Sequence, residues 1–148
     1  MIRAAGPHDV RFLRDMLRHA YYWRMSESAD VPVARYVLNW GRPGDEGLVA
    51  LDDANPVGAA WFRLFPREEA GFGFVDEQTP ELTIAVVPSR RGKGLGVQLL
   101  TALLDEAREA GFEQISLSAA KGQTAYYEQF GFEIVRETEH AVTMLAHL

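Results

Sequence analysis

The fold is decided by residues 82–96, which read LTIAVVPSRRGKGLG. The first six of them, Leu82–Val87, are apolar except for one threonine and rich in β-branched side chains, which is typical of a strand buried on both faces. Pro88 ends this strand, and the basic, glycine-rich segment Arg90–Gly96 follows. Leucines at helical spacing come next. The stretch therefore predicts a strand, a loop and a helix in immediate succession.

Runs of strand and helix periodicity extend on both sides of this stretch. Strand candidates lie at residues 2–5, 47–51, 58–64, 115–118, 132–135 and 141–145. Helix candidates lie at residues 7–21, 32–38 and 124–130, besides the helix that follows Gly96 and stops at Gly111. We therefore expect a single domain over residues 1–148, built as one mixed sheet with helices on both faces.

Composition excludes several classes of function. The 148 residues include no cysteine, which excludes a disulfide, a thiolate zinc site and a cysteine nucleophile. The net charge of −6 argues against a nucleic-acid partner and suits a cationic one such as an amine. Met1–Asp9 lacks the apolar region of a signal peptide, and apolar runs such as Val57–Phe62 are too short to cross a membrane. We expect a cytoplasmic protein with no membrane segment and, since its four histidines show no metal spacing, no metal.

The glycine-rich loop is a candidate anion site. Glycines let backbone N–H groups approach an anion, a helix N-terminus adds partial positive charge, and Arg91 and Lys93 add two full charges. The alternative is a flexible basic turn, but the flanking strand and helix favour the anion site. Two nucleotide-binding patterns fail on spacing: a Walker loop needs glycine at Val87 and a hydroxyl at Gly94, and the dinucleotide fingerprint needs glycine at Val97.

The pattern R/Q-x-x-G-x-G/A fits Arg91, Gly94 and Gly96, and on these residues the chain resembles the GCN5-related N-acetyltransferase (GNAT) superfamily. Residues 126–132, YYEQFGF, are similar to the family's C-terminal aromatic segment. The resemblance is specific over residues 81–132 and extends by element order over nearly the whole chain. It implies a mixed α+β fold with a mostly antiparallel sheet of six or seven strands and about four helices on both faces. It also implies an acetyltransferase that uses acetyl-CoA.

The resemblance further implies where the cosubstrate binds. The loop would hold the pyrophosphate of acetyl-CoA through Arg91, Gly92, Lys93, Gly94, Leu95 and Gly96. The strand would hydrogen-bond the pantetheine arm through the backbone of Ala85, Val86 and Val87. The N–H group of Val87 would polarise the thioester carbonyl, which is the role of an oxyanion donor.

Tyr127, four residues before Gly131, matches the tyrosine that in many relatives protonates the leaving thiolate. A phenol of pKa ~10 can protonate a thiolate whose conjugate acid has a pKa of ~8.5, provided that packing positions it. The alternative is that Tyr127 is a packing residue beside Tyr126.

Attack on the thioester requires a neutral amine, so a base is needed. Glu81 is our candidate, since histone-type relatives carry a glutamate near this offset and its even spacing from Val87 places both side chains on one face of the strand. Burial would raise the pKa of this carboxyl toward neutrality. The alternatives are a solvated charge at the strand edge, or a base that acts through water, for which Glu46, Asp76 and Glu77 compete.

Two positions depart from the family pattern. Ala120 stands where many relatives carry an asparagine that contacts the pantetheine, and Gln123 stands where they tend to carry alanine. Ser118 and Lys121 are candidates to replace that contact. The departure keeps open a second class of function, a non-catalytic acyl-CoA sensor on the same fold.

The acceptor site is expected between the first helices and residues 65–79, a segment that is either a lid or a loose surface excursion. Candidate walls are aromatic, and core packing is the alternative for each of them: Tyr21, Tyr22, Trp23, Trp40 and Trp61. Glu27 and Asp30 could attract a cation. Without cysteine no cysteine-linked acyl-enzyme can form, so we expect direct transfer in a ternary complex to a small-molecule or protein amine. A homodimer is expected on frequency alone.

Overall fold

The computed structural model describes residues 1–21, 23 and 31–148. Seven strands in these ranges form one sheet: β1 (Ile2–Ala4), β2 (Glu46–Asp52), β3 (Asn55–Arg63), β4 (Glu81–Val86), β5 (Gln114–Ala120), β6 (Glu133–Glu137) and β7 (Ala141–His147). The α-helices in these ranges are α1 (Val10–Tyr21), α2 (Leu95–Glu109) and α3 (Thr124–Glu128). The sheet order is β1-β2-β3-β4-β5-β7-β6, and every neighbouring pair is antiparallel except β4 with β5. The predicted mixed, mostly antiparallel sheet is confirmed.

The expectation of about four helices is slightly too high for the described residues. Residues 32–38, predicted as a helix, contain only a 3-10 turn at Val33–Tyr36. A segment this short cannot offset the cost of nucleating an α-helix, and its valines and tyrosine have modest helix propensity. Asn39 follows with a φ of 56°, a left-handed conformation that ends the turn.

Alternate residues of β3 supply two apolar cores on opposite faces of the sheet. Ala60 and Phe62 pack with the buried leucines of α2, whereas Ala59 and Trp61 pack with the buried face of α1. All four side chains are fully buried. Because successive side chains of a strand point to opposite faces, a strand covered by helices on both sides must be apolar throughout. No helix within the described ranges is long and apolar enough to cross a bilayer.

The strands β4 and β5 meet at one point and then diverge. Their single parallel ladder pair joins Glu81 to Ser116, and the Ser116 N–H donates to the carbonyl of Pro80 at 2.9 Å. Yet β4 continues to Val86, and β5 continues to Ala120. The C-terminal half of β4 therefore presents one row of its backbone groups to a gap in the sheet.

The segment between β3 and β4 is anchored to the body of the domain. Four side chains from other elements bond to the backbone of residues 70–74: Arg35 donates to the Ala70 carbonyl (2.8 Å), the Tyr36 hydroxyl accepts from the Phe72 N–H (2.7 Å), Ser116 donates to the Gly73 carbonyl (2.8 Å), and Arg136 donates to the Phe74 carbonyl (2.9 Å). A loose surface excursion, one of the two expectations for this segment, is therefore wrong for residues 70–74.

Candidate functional site

A cleft runs from the N-terminus of α2, along β4, to the end of α1. It consists of an outer, a middle and an inner cavity, and neighbouring cavities share lining residues. The outer and middle cavities share Val86, Arg91, Gly96 and Tyr126. The middle and inner cavities share Ala20, Trp23, Ile84, Gln123 and Tyr127. The glycine-rich loop and the C-terminal tyrosines, far apart in the chain, thus line one surface.

The outer cavity has the geometry of an anion site. Gly92 and Gly94 have φ angles of 79° and 82°, which glycine adopts without strain, and a Cβ at either would meet nothing within 4 Å. The Gly94 carbonyl accepts the first helical hydrogen bond, from the Gln98 N–H at 3.1 Å. The N–H groups of residues 95–97 precede that bond and so lack a helical acceptor. Open space beside such N–H groups is where helix N-termini bind phosphate.

The basic side chains of the loop take different positions. Arg90 pairs with Asp52 of β2 at 2.6 Å, which ties the loop to the sheet. Arg91 donates from Nε to the Val86 carbonyl at 3.0 Å and lines the outer and middle cavities. Arg91 and Lys93 are both exposed. These two cations can therefore reach an anion held at the start of α2.

The structure corrects the expected carbonyl-polarising donor. The N–H of Val87 donates to the Val57 carbonyl at 2.8 Å, so it points to β3 and away from the cleft. In an antiparallel ladder successive backbone groups point in alternate directions, so the N–H groups of Ile84 and Val86 face the gap toward β5. Ala85 and Val86 both line the cleft, but the N–H of Ala85 points to β3 like that of Val87, so of the three predicted backbone partners only Val86 faces the gap. The sequence could not predict the direction of the Val87 N–H because it does not reveal the pairing register.

Tyr127 lies between the middle and inner cavities. Its ring packs edge-on against Tyr126 at 5.1 Å and against Phe132 at 6.1 Å between centroids. Burial, with a smaller repulsion from Tyr126, raises the pKa of Tyr127 to about 12. The phenol is therefore protonated at neutral pH and able to donate, although it is a weaker acid than an exposed tyrosine of pKa ~10.

The inner cavity ends at a pair of hydroxyl groups. Tyr21 Oη and Thr83 Oγ1 are 2.8 Å apart, and both residues line the cavity. Burial first, and the nearby charge of Glu81 second, hold the pKa of Tyr21 well above its usual value. Sequence reasoning took Tyr21 as a wall and missed Thr83, because a threonine is ordinary in a strand. The available signal was its position two residues after Glu81, on the same face.

Glu81 lies behind this hydroxyl pair and is only 1% exposed. Its carboxylate accepts a short hydrogen bond from the Tyr36 hydroxyl, which in turn accepts from the Phe72 N–H. Gly71 passes so closely that a Cβ there would collide with both Glu81 and Tyr36. Glu81 is thus buried rather than solvated at the strand edge, but it is absent from the described lining of the cleft.

The rival carboxylates lie outside the described lining of the cleft. Glu46 faces Glu106, and burial together with that neighbour raises the pKa of Glu46. Asp76 accepts hydrogen bonds from the Gln78 N–H and the Thr79 hydroxyl, and Glu77 accepts from the Arg67 N–H. None of the three is among the described residues that line the inner cavity.

The predicted acceptor walls divide into two groups. Tyr21 and Trp23 line the inner cavity, as expected for walls. Trp61 is fully buried and donates to the Tyr36 carbonyl at 3.0 Å, while Trp40 lies against the Arg63 guanidinium, so both belong to the packing of the domain. The remaining candidates, Tyr22, Glu27 and Asp30, lie outside the described residues.

Two polar side chains line the cleft near Ala120 and Gln123, the two positions that depart from the family pattern. Gln123 lines the middle and inner cavities, and Ser118 lines the inner one. Ala120 ends β5, and Lys121 is exposed in the 3-10 turn that follows. Gln123 and Ser118 are therefore better placed than Lys121 to meet a ligand beside β5.

Residues 10–132 match the family described as the acetyltransferase (GNAT) family. Among curated proteins, the chain is 41% identical over 97 residues to the L-methionine sulfoximine/L-methionine sulfone acetyltransferase of Pseudomonas aeruginosa, covering 63% of this chain and 54% of that protein. It is 27% identical over 103 residues to the uncharacterized N-acetyltransferase YjcF of Bacillus subtilis, covering 70% of this chain and 66% of that protein. The matched part thus spans between half and two-thirds of these relatives.

Solved structures share the fold over the whole chain. The ribosomal-protein-alanine N-acetyltransferase of Brucella melitensis has a TM-score of 0.71 at 24% identity, with 100% of this chain and 99% of that one covered. The phosphinothricin acetyltransferase of Sinorhizobium meliloti, in complex with AcCoA, has a TM-score of 0.73 at 22% identity, with 100% and 88% covered. At these identities the likeness is one of fold.

Proposed function

Because this chain belongs to the acetyltransferase (GNAT) family, we propose that it transfers an acetyl group from acetyl-CoA to an amine, directly and within a ternary complex. The observation that carries the proposal is the cleft itself. It joins an anion site at the start of α2 to a protonated tyrosine, Tyr127, along a strand whose backbone faces a gap. A nucleotide loop of another class would need neither the gap nor the tyrosine.

Acetyl-CoA, when bound, would supply an activated acetyl thioester. Residues 91–96 would hold its pyrophosphate with backbone N–H groups and the charges of Arg91 and Lys93. The backbone of Ile84 and Val86 would hydrogen-bond the pantetheine arm, which would occupy the gap where a neighbouring strand would otherwise pair. Of these two residues, the one whose N–H lies beside the thioester carbonyl would polarise it.

Tyr127 would hold its proton beside the leaving sulfur. A phenol with a pKa of about 12 donates a hydrogen bond at any physiological pH, and it releases the proton only as negative charge develops on the sulfur. Exclusion of water by the surrounding rings strengthens that hydrogen bond.

Glu81 would act as the base through hydroxyl groups, since Tyr36 and the pair formed by Tyr21 and Thr83 separate it from the inner cavity. A proton leaving the amine would pass to Tyr21, from Tyr21 to Tyr36, and from Tyr36 to the carboxylate. Burial favours the neutral carboxyl that results. A chain of water molecules to solvent is the alternative route.

For the acceptor we propose the α-amino group of a small molecule. The relative in Pseudomonas aeruginosa acts, by its name, on L-methionine sulfoximine and L-methionine sulfone. The described lining of the inner cavity offers hydroxyl groups, among them Tyr21, Thr83 and Ser118, that could accept hydrogen bonds from the amine. The alternative, a non-catalytic acyl-CoA sensor, draws support from the alanine at position 120.

Thermal unfolding with acetyl-CoA, CoA and ATP in parallel tests the cosubstrate site. A ligand at one hundred times its Kd stabilises by ~2.7 kcal/mol, which for a domain of this size raises Tm by roughly 5–10 °C. We expect that shift with acetyl-CoA and CoA but not with ATP. Thiol release with L-methionine sulfone as the first acceptor then separates the enzyme from the sensor, because a sensor binds without turnover. No shift with any ligand at saturation would refute the proposal.

A further inference from the structure

The two adjacent tyrosines of α3 face different parts of the cleft. Tyr127 lines the middle and inner cavities, whereas Tyr126 lines the middle and outer ones. The ring of Tyr126 is held by Tyr127 at 5.1 Å and by Phe130 at 5.5 Å between centroids. Its position is therefore fixed by aromatic packing at the point where the outer cavity opens into the middle one.

The hydroxyl of Tyr126 lies against the first turn of α2. A Cβ built on Gly96 would stand 3.2 Å from Tyr126 Oη, closer than ordinary contact. Gly96 has no positive φ, so close approach rather than backbone conformation explains a glycine here. The absence of a side chain at position 96 leaves room for the phenol beside the N–H groups of residues 95–97.

Within the described part of the chain, this hydroxyl has no hydrogen-bond partner in the protein. Burial raises the pKa of Tyr126, so the group remains a neutral donor. It lies beside Gly96, and Tyr126 lines the outer cavity together with residues 95–97, whose N–H groups lack a helical acceptor. A phosphate oxygen there would accept from both, and hydrogen bonds to a charged acceptor are stronger than neutral ones.

We infer that the Tyr126 hydroxyl donates a hydrogen bond to a phosphate oxygen of the bound acyl-CoA at the N-terminus of α2. The inference rests on the proposed function and adds to it a side chain outside the glycine-rich loop. With the donor at the junction of two cavities, Tyr126 also positions the phosphate end of the ligand relative to the arm in the middle cavity. Tyr126 is thus a binding and positioning residue.

The test is isothermal titration of acetyl-CoA into the wild-type protein and into Tyr126→Phe. The variant keeps the ring and its aromatic contacts and removes only the donor. We expect Kd to rise roughly tenfold, the loss typical of one hydrogen bond to a charged group. The urea midpoint of the ligand-free protein should not move, because none of the described residues hydrogen-bonds this hydroxyl. An unchanged Kd would overturn the inference.

Gly96→Ala provides a second, independent variant, because its methyl group displaces the hydroxyl from the first turn of α2. If both changes act on the same hydrogen bond, the double variant should bind little worse than Tyr126→Phe alone. Effects that multiply would overturn the inference by showing two unrelated contacts. Failure of the wild-type protein to bind acetyl-CoA would refute the proposed function. Normal binding by both the wild-type protein and Tyr126→Phe would refute only the inference about Tyr126.

Discussion

The two ends of the cleft are built in opposite ways. The outer end, at the glycine-rich loop, uses backbone N–H groups and exposed cations that are neighbours in the sequence, from Arg91 to Gly96. The inner end uses buried side chains from distant segments, namely Tyr21, Tyr36, Glu81 and Thr83. The groups suited to binding an anion are thus neighbours in the sequence, whereas the groups suited to proton transfer are brought together by tertiary contacts.

This difference has an energetic consequence. Groups at the outer end contact solvent and carry little of the folding free energy, so changes there should alter binding and leave stability nearly intact. Groups near the inner end are enclosed, and removing one partner leaves another polar group buried without compensation. Substitutions at the outer end should therefore weaken ligand binding more than they lower stability. Substitutions at the inner end should lower the free energy of unfolding more than they weaken ligand binding.

The largest effect is expected at Arg63, which supports the inner end. Its guanidinium is fully buried, bonds Asp45 at 2.9 and 2.7 Å, and donates to the carbonyls of Arg35 and Leu38, which flank Tyr36. Arg63→Met should lower the free energy of unfolding in urea by about 3–5 kcal/mol, because it leaves the buried carboxylate of Asp45 without its cationic partner. The matched control is Arg90→Met, whose ion pair with Asp52 is partly exposed and should cost ~1 kcal/mol or less. Equal losses would contradict the comparison.

Tyr127→Phe should reduce kcat about a hundredfold while the Kd of acetyl-CoA stays the same, because the phenol contributes a proton rather than affinity. The phenol loses its proton only as pH rises through about 12. The wild-type kcat should therefore show no decline from this group between pH 6 and 10, and the ratio of wild-type to variant should be constant there. A ratio that falls toward one near pH 10 would contradict the raised pKa, and an unchanged kcat in Tyr127→Phe would remove Tyr127 from the role of acid.

Gly94→Asp should weaken acetyl-CoA binding by roughly 10- to 100-fold, since it puts a negative charge and bulk beside the phosphate. Gly94→Asn is the matched control: asparagine has nearly the same size and also tolerates the left-handed conformation at φ 82°, but carries no charge. Titration calorimetry of both variants isolates the charge. If both bound acetyl-CoA as the wild type does, the loop would not be the phosphate site.

The smallest effect is expected at Gly71, where an added methyl group collides with Glu81 and Tyr36. Gly71→Ala should lower the free energy of unfolding by about 1–3 kcal/mol, as overpacking of a buried site does. Gly122→Ala is its control, because a Cβ there meets nothing within 4 Å and its φ is not positive. If urea titrations gave both variants the same free energy of unfolding, the side chains around Gly71 would be able to move aside, and the prediction would be wrong.

Features encoded by local spacing were predictable from the sequence. The succession of β4, glycine-rich loop and α2 follows from periodicity, and the loop and Tyr127 meet in one cleft as the two motifs indicated. The sheet class follows from the order of elements, and it is confirmed. The first feature needs only the chemistry of neighbouring residues, whereas the meeting of the loop with Tyr127 was implied by the family resemblance.

Features that depend on long-range partners were not predictable. The direction of the Val87 N–H depends on its register with Val57, and the enclosure of Glu81 depends on Tyr36, 45 residues away. The turn at Val33–Tyr36 was taken for a helix because its apolar spacing fits either structure over so few residues. In the first two cases a partner distant in the sequence decides the outcome, and in the third the segment is too short for its spacing to distinguish a turn from a helix.

The single ladder pair between β4 and β5 also bears on how the molecule opens. By backbone hydrogen bonds the sheet is two units, β1–β4 and β5–β7, joined at Glu81 and Ser116 and by the apolar core beneath α2. Local opening between such units costs less than global unfolding, so amides along the seam should exchange with solvent earlier than those inside either unit. A ligand that bonds to both strands would couple the two units, and the domain would then unfold more cooperatively when loaded than when empty.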